Sequence, residues 1–284
     1  MTKELSYDQI WKDVKTAHQV GGFEIVEHGW EQHVLVDHEK NIVYRYPRNQ
    51  NAADKLADEV AVLESLRHTI FNVAIPVLRQ HNDQYTVYDY IPGDVIDETT
   101  AKDLTDDQAE KIGHDLGVFF SILHATNPEV IRHKSTKQTA SLLEYYVERI
   151  NKAKDADFYA HAQNLLAKIK HDDDDEVVVH GDLHGLNMVI DPISKNLIGI
   201  IDFSELELGN RHQDFRKIFM ADSRFLDPAI SAYLSTISVS LDAEKVKVWA
   251  YVNEWANIAY FKNQPSHPTY VRAKKHLTRW HQWN

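Results

Sequence analysis

Two apolar runs, Val177-Val178-Val179 and Met188-Val189-Ile190, enclose the segment His180-Gly181-Asp182-Leu183-His184-Gly185-Leu186-Asn187. Side chains that can move a proton or hold a metal therefore sit between strand formers, and three readings compete. The first is a hydrolytic metal site. His180, Asp182 and His184 alternate and would share one face of a strand, and imidazole with carboxylate suits Zn²⁺ or Fe²⁺. Gly181 and Gly185 instead point to a loop, which breaks that shared face, and no second His-rich cluster follows. The second is phosphoryl transfer. Asp182 is followed at a distance by Asn187, and a hairpin then leads to Asp202-Phe203-Ser204. One carboxylate would orient an acceptor hydroxyl and take its proton, while an amide oxygen and a second carboxylate would hold Mg²⁺, a hard cation that wants oxygen ligands. The third reading is a polar turn with a capping aspartate.

The elements needed for the second reading can be read nearby. Val177–Val179, Met188–Asp191 and Leu197–Phe203 are strand-like, and Pro192-Ile193-Ser194-Lys195-Asn196 supplies a hairpin turn. Antiparallel pairing of the last two strands brings Asn187 and Asp202 to the same end of a sheet. Upstream, Val34-Leu35-Val36 and Ile42–Tyr46 read as strands around the turn Asp37–Asn41, with Pro47 closing the second. A helix is predicted over Ala52–His68, where Leu56, Val60 and Leu63 mark a buried face. Glu59 falls on that face, so a cationic partner is expected. Tyr85–Tyr88 reads as a strand that runs into Asp89-Tyr90-Ile91-Pro92-Gly93, a break placing a small N-lobe at 1–93 and a larger C-lobe at 94–284. Beyond it the pattern is helical: a cap at Leu104–Asp107 with apolar spacing to Leu123, then 141–150, 158–169 and Lys245–Phe261. Asp172–Asp175 reads as a solvated turn.

Composition narrows the partners. The 284 residues, 43% of them apolar, suffice for one large domain or two smaller ones. No run approaches the roughly 20 apolar residues of a membrane span, and the charged N-terminus shows no signal-peptide core. With no cysteine, disulfides, thiolate metal sites and a Cys nucleophile are excluded, and a reducing cytoplasm is the expected setting. A formal charge of −12 argues against nucleic acid and suits a cationic ligand. The seventeen His residues are scattered.

The chain resembles the aminoglycoside phosphotransferase family, a branch of the protein-kinase-like fold. His180-Gly181-Asp182-Leu183-His184-Gly185-Leu186-Asn187 is similar to its catalytic loop, and Ile200-Ile201-Asp202-Phe203-Ser204 to its metal-binding segment. Leu116–His124 looks like its first large C-lobe helix, Val43–Arg48 like the strand carrying its phosphate-binding cation, and Gly29-Trp30-Glu31-Gln32-His33-Val34 like its nucleotide loop. These motifs run in order from about Gly29 to Asp214. The resemblance implies an α+β bilobal kinase-like fold, with an antiparallel sheet and one helix in the N-lobe and a mainly helical C-lobe. It implies Asp182 as catalytic base, Asn187 and Asp202 as Mg²⁺ ligands, and Arg45 paired with Glu59 against nucleotide phosphates. Asp89 and Ile91 would read the purine of ATP or GTP through their backbones, and Gly29 would lie over the phosphates. His180 and His184 are read as scaffold, their ring nitrogens tying the loop. The sequence departs from the pattern in three places: Arg45 stands where many relatives have Lys, the nucleotide loop lacks a Gly-x-Gly-x-x-Gly run, and Ser204 replaces the Gly of Asp-Phe-Gly. No Ala-Pro-Glu segment or long activation loop is present, so a small-molecule hydroxyl substrate fits better than a protein.

For that acceptor the family offers aminoglycosides, macrolides, choline, homoserine and sugars. Overall acidity favours a polycationic aminoglycoside, with Glu205, Glu207 and Glu254 as candidate cleft carboxylates. The basic and aromatic end, Arg272 through Asn284, argues the other way. A kinase-like binding protein without catalysis is the remaining alternative, against which stand the five groups Arg45, Glu59, Asp182, Asn187 and Asp202, all present.

Overall fold

The computed structural model describes residues 7–17, 23–26, 31–82, 84–131, 146, 148–152, 160, 163–165, 167 and 176–281. The expected helices at 141–150 and 158–169 lie largely outside these residues, as do the acidic run 172–175 and Gly29.

The first lobe is a five-stranded antiparallel sheet in the order β1-β2-β3-β5-β4. Its strands are β1 (Phe23–Val26), β2 (Gln32–Asp37), β3 (Ile42–Pro47), β4 (Leu78–His81) and β5 (Thr86–Asp89). Helix α1 (Tyr7–Ala17) precedes the sheet and buries Trp11 with Leu35 and Tyr46. The β2–β3 hairpin turns on Asn41 at φ 53°, a left-handed position that Asn tolerates. Its register places Arg45 opposite Val34 on one side and Thr86 on the other, at the middle of the sheet. Helix α2 (Gln50–Leu66) starts two residues earlier than the apolar spacing predicts, because the Asn49 side chain caps it by accepting from the Ala52 N–H at 2.9 Å. Leu56, Glu59, Val60 and Leu63 form its buried face, as their spacing requires.

The second lobe is mostly helical. Strand β6 (Asp94–Val95) follows Gly93 and pairs with β8 (Met188–Ile190), which pairs with β9 (Leu197–Ile200). After β6 come α3 (Glu98–Asp103) and α4 (Asp106–His124), the latter opened by a reciprocal Thr105–Gln108 capping box. Ile112, Leu116, Phe119, Phe120 and Leu123 of α4 are fully buried. A second pair of strands, β7 (Glu176–Val179) and β10 (Glu207–Asn210), is antiparallel. The chain then closes with α5 (His212–Ala221), α6 (Leu226–Thr236), α7 (Ala243–Tyr260) and α8 (Pro268–Arg279). Gly117 lets α4 and α6 meet closely, since a Cβ there would stand 2.2 Å from the Ala229 carbonyl oxygen.

Several elements were not visible in the sequence: β1, β4, β6 and β10 are short, and only pairing defines them. Strand β9 also stops at Ile200 rather than Phe203. Ile201 donates to the Asn187 carbonyl at 3.0 Å, and Asp202 then turns to φ 64°, leaving the extended region. The two lobes are joined by more than the chain. Ala74 donates to Ile198 O and accepts from Ile200 N–H, both at 2.9 Å, so the segment before β4 adds itself to β9.

Candidate active site

Strand β3 carries Arg45 and helix α2 carries Glu59, and the two meet between sheet and helix. Arg45 Nη1 donates to both Glu59 oxygens, at 2.7 and 2.8 Å. The guanidinium also donates through Nε to the Gln32 side chain and through Nη2 to Asp202 Oδ1 at 3.1 Å, and lies 5.8 Å from the centre of the Tyr88 ring. Glu59 is fully buried and its Oε1 accepts a further bond from the Phe203 N–H at 3.0 Å. The cationic partner expected from the helix pattern is thus present, and Glu59 links the first lobe to the backbone after Asp202. Burial opposes the Arg45 charge, but Glu59 and Asp202 outweigh it and raise its pKa.

Asp202 and Asn187 stand at the joined ends of β9 and β8. Burial works against the Asp202 charge, yet Arg45, the Ser204 hydroxyl (2.8 Å to Oδ1) and the neighbouring His180 pull its pKa to about 2. Ser204, where protein kinases have Gly, here steadies the carboxylate. Asn187 donates through Nδ2 to the Asp182 carbonyl at 2.9 Å, which fixes the Asp182–Asn187 segment as a closed turn. One carboxylate and one amide oxygen form a donor set too small to enclose a cation alone. They suit Mg²⁺, which keeps several of its oxygens from water or a substrate phosphate.

Asp182 lies half-exposed on the loop after β7. Its Oδ1 accepts from Lys217 Nζ at 2.5 Å and its Oδ2 is 3.5 Å from His184 Nε2. Lys217, on α5, was not foreseen. Burial pushes its pKa down, Asp182 pulls it up, and Arg216 and Arg272 push it down again, with a net lowering. One helical turn before it, Asp214 is fully buried and accepts the His180 and Gly181 N–H groups at 2.9 and 3.0 Å and the His124 Nε2–H at 3.1 Å. His124 Nδ1 is 3.0 Å from the Tyr233 hydroxyl, which accepts from Arg211 at 3.0 Å. Burial opposes the Asp214 charge, but the His124 hydrogen bond and charge hold its pKa below the ordinary value. Gly181 completes the loop at φ 79°, with the Glu205 carbonyl oxygen 2.4 Å from where a Cβ would stand.

The loop is therefore tied chiefly by its backbone N–H groups on Asp214. The His180 ring is buried 4.9 Å from Phe203, while His184 faces Asp182. These two rings point to different places, so His180, Asp182 and His184 do not converge as a metal triad. Among the described residues no group of three or more His, Asp and Glu side chains could hold a metal.

At the end of β5, the Asp89 N–H bonds to Val77 O (3.0 Å) and the Tyr90 N–H to Asn41 O (2.9 Å). Pro92 has no N–H. Among the described residues the Ile91 N–H bonds to no carbonyl, which leaves it as the amide that a ligand edge could use. The Asp89 carboxylate is paired with Arg79. Of the candidate acids for a polycation, Glu254 is fully buried under α8, against His276 Nδ1 (2.6 Å) and Asn257 (2.9 Å), so it does not face a cleft. Glu205 is paired with Lys55, which also holds Glu31, both at 2.6 Å. Glu207 belongs to the β7–β10 ladder.

The sequence matches the model of the phosphotransferase enzyme family over residues 22–247. The chain belongs to this family. No curated protein matches it. Among solved structures it is similar to the GDP complex of wild-type aminoglycoside 2'-phosphotransferase-IIIa, with 16% identity, a TM-score of 0.77, and 97% of this chain and 98% of that one covered. The GDP and kanamycin complex of APH(2")-IIia gives 16% identity, a TM-score of 0.75, and 95% and 97% covered. The apoenzyme of macrolide 2'-phosphotransferase MphH from Brachybacterium faecium gives 17% identity, a TM-score of 0.71, and 94% and 96% covered. The fold is thus the bilobal kinase-like one, and the chain is a phosphotransferase.

Proposed function

We propose that this phosphotransferase moves the γ-phosphoryl group of Mg-bound ATP or GTP to a hydroxyl of a small molecule. The observation that carries the reading is the single guanidinium of Arg45, which holds buried Glu59 with two bonds and reaches Asp202 with a third. The GDP complexes among its structural neighbours, and an ATP ternary complex of another aminoglycoside phosphotransferase, support the nucleotide donor.

In this reading residues 1–93 bind the nucleotide and 94–284 supply the catalytic loop and the acceptor site. The Ile91 N–H and the Asp89 carbonyl read the purine edge, and Arg45 donates to phosphate while Glu59 keeps it aimed. Asn187 and Asp202 hold Mg²⁺, which, when bound, neutralises and orients phosphate oxygens. The acceptor oxygen attacks the γ-phosphorus, the bond to the bridging oxygen breaks, and its electron pair leaves with the nucleoside diphosphate. Asp182 takes the hydroxyl proton, held in position by the Asn187 amide and the Asp214-tied backbone. Gly29 is assigned to the nucleotide loop on the sequence resemblance alone. A cytoplasmic setting, where the nucleotide is supplied, goes with this reading, and among the described residues no helix is long and apolar enough to cross a membrane.

Calorimetric titration of ATP and GTP, with and without Mg²⁺, tests it. Metal-dependent binding of either nucleotide, weakened by Asp202→Ala, is expected. Absence of nucleotide binding, or affinity indifferent to both Mg²⁺ and Asp202→Ala, would sink the proposal.

A further inference from the structure

Helix α2 grips the segment after β9 twice. The inner grip is Glu59, which accepts the Phe203 N–H at 3.0 Å and holds Arg45. Lys55 stands about one turn earlier on the same face of the helix. Its Nζ donates to Glu31 Oε1 and to Glu205 Oε1, both at 2.6 Å. Glu205 follows the Asp202-Phe203-Ser204 segment, and its carbonyl oxygen leaves no room for a Cβ on Gly181 of the catalytic loop. Glu31 precedes Gln32, whose side chain takes the Arg45 Nε bond, and the Glu31 carbonyl is fixed by the Arg48 N–H at 2.9 Å. The lobes are thus joined by two successive rungs along α2. Gln32, Arg45, Glu59 and Asp202 form the inner one, and Glu31, Lys55 and Glu205 the outer one.

The rungs differ in exposure. Glu59 is fully buried, whereas the side chains of Lys55, Glu31 and Glu205 are 26%, 38% and 33% exposed. Salt therefore reaches the outer rung. Burial opposes the charge on Lys55, but the bonds to Glu205 and Glu31 outweigh it and raise its pKa, so the ammonium stays charged through neutral pH. A lone exposed ion pair does little. This cation is shared by two acids from different lobes, and without it two carboxylates gathered on one nitrogen would repel each other and part.

We propose that Lys55 is a positioning residue for phosphoryl transfer, its ammonium holding Glu31 of the nucleotide loop against Glu205 beside the metal segment and so closing the cleft around the nucleotide phosphates. The inference rests on the phosphotransfer reading above and adds a residue to that same site.

Calorimetry with Mg·ATP and Mg·GTP compares the wild type with Lys55→Met, Lys55→Arg and Glu205→Gln. An exposed ion pair contributes up to a factor of about five. With two pairs lost, Lys55→Met should weaken Mg·nucleotide binding about five- to tenfold. Lys55→Arg, whose fork can bridge two carboxylates, should restore most of it. The difference between wild type and Lys55→Met should shrink as salt rises, because screening removes the same pairs from the wild type. Glu205→Gln should weaken binding too, and adding it to Lys55→Met should cost less than the two changes made separately. Affinity in Lys55→Met equal to wild type at low salt overturns the proposal, as does a lower melting temperature with unchanged affinity, which would make Lys55 a structural tie only. A second readout needs no nucleotide. Hydrogen exchange of the Arg48 amide, bonded to Glu31 O, and of the Leu206 amide, bonded to Phe203 O, should quicken together in Lys55→Met. Unchanged exchange at either amide overturns the clamp even where nucleotide binds. A wild type that binds no nucleotide would sink the phosphotransfer reading instead, and the exchange result would then judge the clamp by itself.

Discussion

Arg45 and Asp202 are 157 residues apart in the chain and joined by a 3.1 Å hydrogen bond. With Glu59 on the other side of the guanidinium, this contact ties strand β3 and helix α2 of one lobe to the end of β9 in the other. One planar cation satisfies two carboxylates because its donors leave in different directions.

Removing one partner is therefore more damaging than the pair's net worth suggests. Glu59→Ala leaves a buried guanidinium short of its main acceptor, and a loss of about 3–5 kcal/mol is expected in denaturant titrations. Arg45→Lys keeps the charge but loses the planar fork that gives Glu59 two bonds and Asp202 a third. With one charge-assisted bond lost, nucleotide affinity should fall on the order of tenfold. Stability of Glu59→Ala within experimental error of wild type would show that the pair is not a buried support.

How far the sequence carried this depends on the range of each interaction. Glu59 on an apolar helix face announced its need for a cation locally, and Arg45 met it. Asp182, Asn187 and Asp202 stood in one short segment whose hairpin geometry follows from alternation and a turn. Asp214 and Lys217 gave no such warning. An acid near the start of a helix reads as a favourable charge at the helix dipole, and nothing around Asp214 says that it takes the amides of His180 and Gly181 more than thirty residues back. Likewise Glu254 looks like a surface acid on α7, and only the docking of α8 buries it. Strands of two to four residues, such as β6 and β10, are defined by their partners rather than by their own composition.

Asp214 should be the acid-sensitive support of the catalytic loop. Its pKa in the fold lies below that of an ordinary aspartate, so its contribution to stability is fully present above the ordinary value and is lost as pH falls through the depressed one. Asp214→Ala strands two amides and the His124 N–H, and a loss of about 3 kcal/mol or more at neutral pH is expected. Asp214→Asn should flatten the acid limb of melting temperature against pH. An unchanged acid limb in that variant would remove Asp214 from the account.

Gly181 is constrained twice, by its φ of 79° and by the Glu205 carbonyl oxygen beside it. Gly181→Ala should cost about 1–3 kcal/mol and displace the loop that carries Asp182. Its turnover should fall further than its nucleotide affinity. Equal losses in both would point to general unfolding rather than a displaced base.

The central claim is that Asp182 takes a proton during phosphoryl transfer. Nucleoside diphosphate release from Mg·ATP and Mg·GTP, with and without hydroxyl-bearing acceptors, compared between wild type and Asp182→Asn, tests it most directly. Acceptor-stimulated release in the wild type, reduced about 10²–10⁴-fold in Asp182→Asn at nearly unchanged nucleotide affinity, is predicted. Turnover in Asp182→Asn matching the wild type, or falling only in step with nucleotide binding, would contradict it.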